Sequence, residues 1–67
     1  MQLRINGKQQ EVGEGIMSLR HLLEKLGYEP ESIAVALNGQ FVPRHQYATC
    51  MVQDEHELEV VAPMQGG

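Results

Sequence analysis

The residues best suited to chemistry lie at the end of the sequence, in the segment PMQGG over residues 63–67. Glycine has no Cβ, so two consecutive glycines let an extended backbone pass through a narrow channel in another protein. A chain that ends at Gly67 presents the carboxylate of that residue as its reactive group. The segment therefore predicts a flexible tail, about 63–67, whose Gly66 and Gly67 thread into a partner's active site; a frayed terminus is the alternative.

The predicted reactive group needs activation. A carboxylate is a poor acylating agent at neutral pH, because it is ionised and has no leaving group. Transfer of AMP from ATP would make a mixed anhydride that a sulfur or nitrogen nucleophile can attack. The sequence has neither GxxxxGK[ST] nor GxGxxG, the glycine-rich motifs that hold phosphates. We therefore expect a partner enzyme to consume the ATP, and this chain to bind no cofactor.

The other reactive side chains form no recognisable motif. Cys50 has no second cysteine and no histidine at a motif spacing, which favours a small buried hydrophobic residue over a nucleophile. His21, His45 and His56 lack metal-ligand spacing, so we interpret them as exposed or locally hydrogen-bonded. The sequence thus predicts no catalytic residue and no metal site, and a small enzyme using Cys50 or a carboxylate is the least favoured class.

Length and composition restrict the class of protein further. A chain of 67 residues is short for more than one domain, so we expect a single domain over residues 1–67. A net charge of −4 and only one Phe and two Tyr argue against nucleic-acid binding. The apolar runs are too short to cross a membrane, no secretory signal opens the chain, and the lone cysteine fits a reducing compartment. A cytoplasmic protein is predicted.

Acidic residues are concentrated just before the tail, at Asp54, Glu55, Glu57 and Glu59. Such a run is either a solvated strand edge or an electrostatic docking face for a basic partner, centred on Glu57 and Glu59. Arg44 is expected either to belong to the same face or to form an ion pair within the chain.

Hydrophobic periodicity places the first elements. Residues 2–6 alternate polar and apolar, and Asn6-Gly7 predicts a tight hairpin into residues 9–12. Four leucines at positions 19, 22, 23 and 26 then lie on one side of a helix. Ser18 suits its N-cap and Gly27 its C-terminal stop.

The rest of the chain is predicted to form mainly strands. Apolar residues at 33, 35 and 37 predict a strand, and the second Asn-Gly pair, Asn38-Gly39, leads to a short strand over 40–42 that Pro43 ends. Residues 44–50 fit a turn or a single helical turn, and residues 58–61 a closing strand. The order β, β, α, β, short β, β predicts an α+β domain in which one helix covers one face of a sheet.

Three segments carry a family resemblance: VALNGQFVPRHQY, VQDEHELEVV and APMQGG. They resemble the sulfur carrier proteins of thiamine (thiazole) biosynthesis, and the similarity covers nearly the whole chain. Its most specific part is the segment 38–44 together with the diglycine. Tyr47 stands where the family is expected to have tryptophan, and the turn over 54–57 lacks the glycine of an Asp-Gly-Asp turn.

The resemblance implies a ubiquitin-like β-grasp fold, a mixed sheet with one main helix packed on one face and an extended Gly-Gly tail. It also implies a protein cosubstrate in place of an enzyme. An adenylyltransferase related to ubiquitin-activating enzymes would adenylate Gly67, and a cysteine desulfurase or other persulfide donor would indirectly supply the sulfur of a thiocarboxylate. Thiazole synthase would receive that sulfur.

Two further functions stay open. The tail, with its proline, also resembles the tail of the small subunit of molybdopterin synthase, another sulfur carrier. A non-carrier ubiquitin-like interaction module is the other alternative, or a modifier that joins lysine through its diglycine.

Overall fold

The computed structural model describes residues 1–13 and 15–62 of the chain. Its helices and strands, in chain order, are β1 (Gln2–Ile5), β2 (Lys8–Glu11), β3 (Met17–Ser18), α1 (Leu19–Lys25), a 3-10 helix (Pro30–Ser32), β4 (Ala34–Leu37), β5 (Gln40–Val42), a second 3-10 helix (Arg44–Gln46), β6 (Met51–Val52) and β7 (Glu57–Val61).

The main sheet has five strands in the order β2-β1-β7-β4-β5. Strands β1 and β7 are parallel, with Ile5 opposite Leu58, and the other neighbouring pairs are antiparallel. Strands β3 and β6 form a separate two-stranded antiparallel sheet. The predicted mixed sheet is confirmed, with β7, the last strand of the described residues, at its centre.

Helix α1 forms where the leucine pattern predicts it. The Ser18 hydroxyl accepts a hydrogen bond from the backbone N–H of His21 at 3.1 Å, which satisfies one of the free donors of the first turn. Gly27 follows the helix at φ +90°, a left-handed conformation that glycine adopts without strain. The predicted N-cap and stop are both confirmed.

The core lies between α1 and one face of the main sheet. Side chains alternate along the strands, so that Leu58 and Val60 of β7 point into the core while their neighbours do not. Tyr47, at the position of the expected tryptophan, is 2% exposed. The buried apolar set is Leu3, Ile5, Val12, Leu19, Leu22, Leu23, Ile33, Val35, Val42, Tyr47, Val52, Leu58 and Val60.

The structure differs from the expected elements in small ways. Strand β2 begins at Lys8, so both predicted hairpin strands are present with a shifted boundary. The β3–β6 sheet and the 3-10 helix Pro30–Ser32 were not predicted, because two or three residues are too few to show a period. Over residues 1–13 and 15–62, no helix is long and apolar enough to span a membrane.

Candidate functional site

The predicted tail follows directly from β7. This strand lies between β1 and β4, and it ends at Val61 with the exposed Ala62 after it. The tail predicted over 63–67, with Gly66 and Gly67, lies outside the described residues, so its role stays a prediction. What the structure establishes is the strand that carries the chain to that segment.

Within residues 1–13 and 15–62, α1 covers one face of the main sheet and leaves the other open. Phe41, Ala36 and Glu59 form a row across β5, β4 and β7 on this face, since Ala36 pairs with both Phe41 and Glu59. Phe41 is 69% exposed and Val61 61% exposed. A shallow, mainly apolar groove of about 170 Å³ runs between them, over Ala34 and Ala36.

The sequence analysis did not single out Phe41. Its signal is the alternation of β5: Val42 is buried, so Phe41 must point to the opposite face. A large aromatic side chain beside two alanines leaves apolar surface in water, and aromatic residues are enriched in protein interfaces. We define the open face as Ala34, Ala36, Phe41, Glu59 and Val61.

The predicted docking residues are only partly brought together. Glu57 and Glu59 are exposed on the same side of β7, and their docking role stays a prediction. Arg44 follows β5, and since β5 and β7 are both antiparallel to β4, it lies beyond the same end of the sheet as Ala62. Glu57 begins β7 at the opposite end. Among the described residues, neither of the two ion pairs involves Arg44.

The structure also locates the remaining candidate residues, Cys50 and the three histidines. Cys50 is half-buried against the core, less buried than expected, and its carbonyl accepts a hydrogen bond from the backbone N–H of Leu19 at 2.7 Å. His21 and His45 are exposed. Nδ1 of the half-buried His56 accepts a hydrogen bond from the backbone N–H of Gln53 at 3.1 Å. In the described part of the chain, no three His, Cys, Asp or Glu residues form a group that could hold a metal ion.

Tyr47 occupies the core as a structural residue. Burial raises the pKa of its phenol, although the positive charge of Arg44 acts in the opposite direction. Its hydroxyl donates a long hydrogen bond, 3.5 Å, to the carbonyl of Ile33. The ring is buried in the core, where a neutral phenol is favoured.

The turn before β7 lacks its expected glycine, and this absence has a structural cost. Glu55 adopts φ +68°, in the left-handed region that L-residues avoid. Its backbone N–H donates to the carbonyl of Gln2 at 2.7 Å, which holds the turn against β1. The turn therefore keeps its contact with β1, but the residue that makes this contact, Glu55, has a strained backbone.

We expect Glu55→Gly to raise the free energy of unfolding by about 0.5–1 kcal/mol. The substitution relieves the left-handed strain, and this gain exceeds the cost of the entropy that glycine adds to the unfolded chain. Glycine keeps the N–H bonded to Gln2. Chemical denaturation measures the change. Glu31→Gly is the control, because Glu31 lies in a 3-10 helix, where glycine should destabilise. Equal destabilisation by the two variants would contradict the strain at Glu55.

Among the described residues, the central parallel pair β1 and β7 has β2 on one side, the β4–β5 hairpin on the other and α1 across one face, an arrangement that defines a ubiquitin-like β-grasp domain. The model of the ThiS family matches residues 3–67, and the chain belongs to that family. It is 33% identical to the sulfur carrier protein ThiS of Escherichia coli over the full length of both proteins.

Solved structures agree with this assignment. The chain superposes on the crystal structure of a thiamine biosynthesis protein (ThiS) from Geobacter metallireducens with a TM-score of 0.87 and 32% identity, over the full length of both chains. The solution structure of a thiamine biosynthesis protein from the same organism gives a TM-score of 0.85, covering all of this chain and 88% of that one. The predicted fold class is confirmed.

Longer relatives also match. The chain is 37% identical to a thiazole synthase of Paramagnetospirillum magneticum and 34% identical to one of Magnetococcus marinus. In each case all of this chain is covered, but it spans only 20% of the length of the relative.

Proposed function

We propose that the chain is a sulfur carrier of thiamine biosynthesis, whose Gly67 carboxylate is converted to a thiocarboxylate that donates sulfur to the thiazole ring. The observation that carries this proposal is the family match over residues 3–67, which includes both glycines. The position of β7 supports it, because a central strand paired on both sides delivers the chain to the tail.

The chemistry proceeds in balanced steps on a partner adenylyltransferase. A Gly67 carboxylate oxygen attacks the α-phosphorus of ATP, and pyrophosphate leaves. The terminal sulfur of a cysteine persulfide, supplied by a desulfurase or other donor, then attacks the acyl carbon and expels AMP. A second thiol breaks the S–S bond of the acyl disulfide, so that a disulfide forms and Gly67 keeps the sulfur as a thiocarboxylate.

Each part of the chain has its own role in this scheme. Between Ala62 and Gly67 a fully extended backbone reaches at most about 18 Å, enough to enter a deep active site. The open face lies beside the start of that segment, and we propose that it docks on the adenylyltransferase and on thiazole synthase. The carrier acts as a cosubstrate. A reducing cytoplasm suits its persulfide and thiocarboxylate sulfur.

Intact-protein mass spectrometry tests the proposal. The untagged protein is incubated with the adenylyltransferase, ATP and a persulfide donor, and fragmented at high resolution. Sulfur replacing oxygen and oxidation of Met64 add nearly the same mass, so the shift must be resolved by exact mass and assigned to Gly67. We expect a sulfur-bearing Gly67. An unmodified carboxylate with all components present, or a conjugate to a lysine of another protein, would contradict it.

We expect the double charge reversal Glu57→Lys with Glu59→Lys to slow association with the adenylyltransferase by about tenfold at low salt, and much less at 0.5 M salt. The reason is that long-range attraction between exposed charges is screened over a few ångströms at high ionic strength. Stopped-flow association rates measure the effect.

The double variant Glu29→Lys with Glu31→Lys is the matched control. It makes the same total change in charge at two exposed positions at the start of the 3-10 helix Pro30–Ser32, outside the main sheet. Its effect on the association rate should be small. A reduction by the charge reversal at Glu57 and Glu59 that is equal at both salt concentrations would remove the electrostatic role of these two residues.

A further inference from the structure

We propose that the side-chain amide of Asn6 is a positioning residue for the tail, because it pairs with the end of β7 from which the tail departs. The inference rests on the proposed function, since the consequence of this positioning is the activation of Gly67. The contacts themselves are properties of the fold.

The pairing between β1 and β7 ends before β7 does. The last parallel pair of strand residues is Ile5 with Leu58. Asn6 then turns the chain away at φ +51°, after its backbone N–H has donated to the carbonyl of Leu58 at 2.9 Å. Val60, two residues further along β7, has no paired residue on β1.

The side chain of Asn6 supplies the missing pair. Its Oδ1 accepts a hydrogen bond from the backbone N–H of Val60 at 2.8 Å, and its Nδ2 donates to the carbonyl of Val60 at 3.2 Å. An amide side chain here bonds as a neighbouring peptide group would. Both contacts are partly buried.

Val60 is two residues before Ala62, so this contact acts at the base of the tail. On its other side, β7 is paired with β4 up to Val61, which lies opposite Ala34. With Asn6 in place, the end of β7 is held from both sides; without it, only from one. We infer that the direction in which the tail leaves the sheet depends on the Asn6 amide.

The second Asn-Gly turn provides an internal comparison. Asn38 has the same φ of +51°, and its Oδ1 accepts a hydrogen bond from the backbone N–H of Glu57 at 2.8 Å. It therefore supports the start of β7, while Asn6 supports the end. The two turns have the same sequence and conformation but act at opposite ends of one strand.

Glycine substitution separates the two roles of each asparagine. Glycine adopts a positive φ freely, so the hairpin turn survives while the side-chain amide is lost. We expect Asn6→Gly to lower the kcat of adenylation about tenfold or more with little change in KM, because misplacing a reacting group by about 1 Å can cost a hundredfold in rate. Asn38→Gly should leave both constants near those of the wild type.

Hydrogen exchange followed by NMR is the second readout and needs no partner. In Asn6→Gly the Val60 amide should exchange at least tenfold faster, with the Glu57 amide unchanged; in Asn38→Gly the pattern should be reversed. Asn6→Asp is a further variant that keeps the acceptor for the Val60 N–H but replaces the Nδ2 donor by a carboxylate oxygen, which repels the Val60 carbonyl. Its kcat should lie between those of Asn6→Gly and wild type.

Several results would overturn the inference. Unchanged exchange at Val60 in Asn6→Gly would show that the amide does not hold the end of β7. Faster exchange with a wild-type kcat would show that holding it does not matter for activation, and a raised KM alone would assign Asn6 to docking. If wild-type protein is not adenylated at all, the proposed function fails and the positioning role fails with it, whereas the exchange data still decide the contact.

Discussion

Removal of Gly67 is expected to abolish thiocarboxylate formation while changing the melting temperature by less than about 4 °C, the smallest shift that 1 kcal/mol produces in a domain of this size. Among the described residues, the buried apolar core extends from Leu3 to Val60, and removal of a glycine takes away no apolar side chain. This variant should therefore lose its activity and keep its stability.

The loss of activity follows from the shorter length of the tail. A shortened chain still ends in a glycine carboxylate, that of Gly66, but the group lies about 3.5 Å short of its position in the full-length tail. Since an error of about 1 Å can cost a hundredfold in rate, adenylation of Gly66 should be undetectable. Adding one alanine after Gly67 should have the same effect, because it converts the reactive carboxylate into a peptide bond.

Single-turnover assays with mass spectrometry measure the product, and thermal unfolding measures stability. Gln65→Ala is the matched control, since it changes the tail without altering its length or its glycines. Its thiocarboxylate should form at a rate close to that of wild type. A thiocarboxylate on Gly66 of the shortened chain, or a large drop in melting temperature, would contradict the assignment of Gly67.

Local sequence patterns predict the local elements well. The leucine period and Ser18 locate α1, and the two Asn-Gly pairs locate both hairpins, because each signal depends only on neighbouring residues. The terminal glycines and the resemblance predict a candidate reactive group, which lies outside the described residues. The family assignment is confirmed by the match over residues 3–67.

Features that depend on distant residues were not predicted from these patterns. The pairing of Ile5 with Leu58 joins the two ends of the chain, and no local period specifies it. The bonds from the Asn6 amide to Val60 depend on that pairing, so the sequence shows Asn6 only as a turn residue. The apolar character of the open face likewise needs β5, β4 and β7 side by side.

The second large effect, a loss of binding affinity, is expected from a substitution on the open face. Phe41→Ala should raise the Kd for the adenylyltransferase about 10- to 100-fold, as truncation of an aromatic residue at the centre of an interface does. The physical reason is that Phe41 is 69% exposed beside the apolar groove and close to where the tail begins, so docking there removes its ring from water. Isothermal titration calorimetry measures the affinity.

Ile16→Ala distinguishes a specific surface from general hydrophobicity. Ile16 is 61% exposed, comparable to Phe41, but it precedes β3 in the small sheet and is no part of the open face. Because both side chains are mostly in water, each truncation should change the free energy of unfolding by less than about 1 kcal/mol. Only Phe41→Ala should weaken binding. Equal losses would mean that any exposed apolar residue contributes, and a wild-type Kd for Phe41→Ala would exclude the open face as the docking surface.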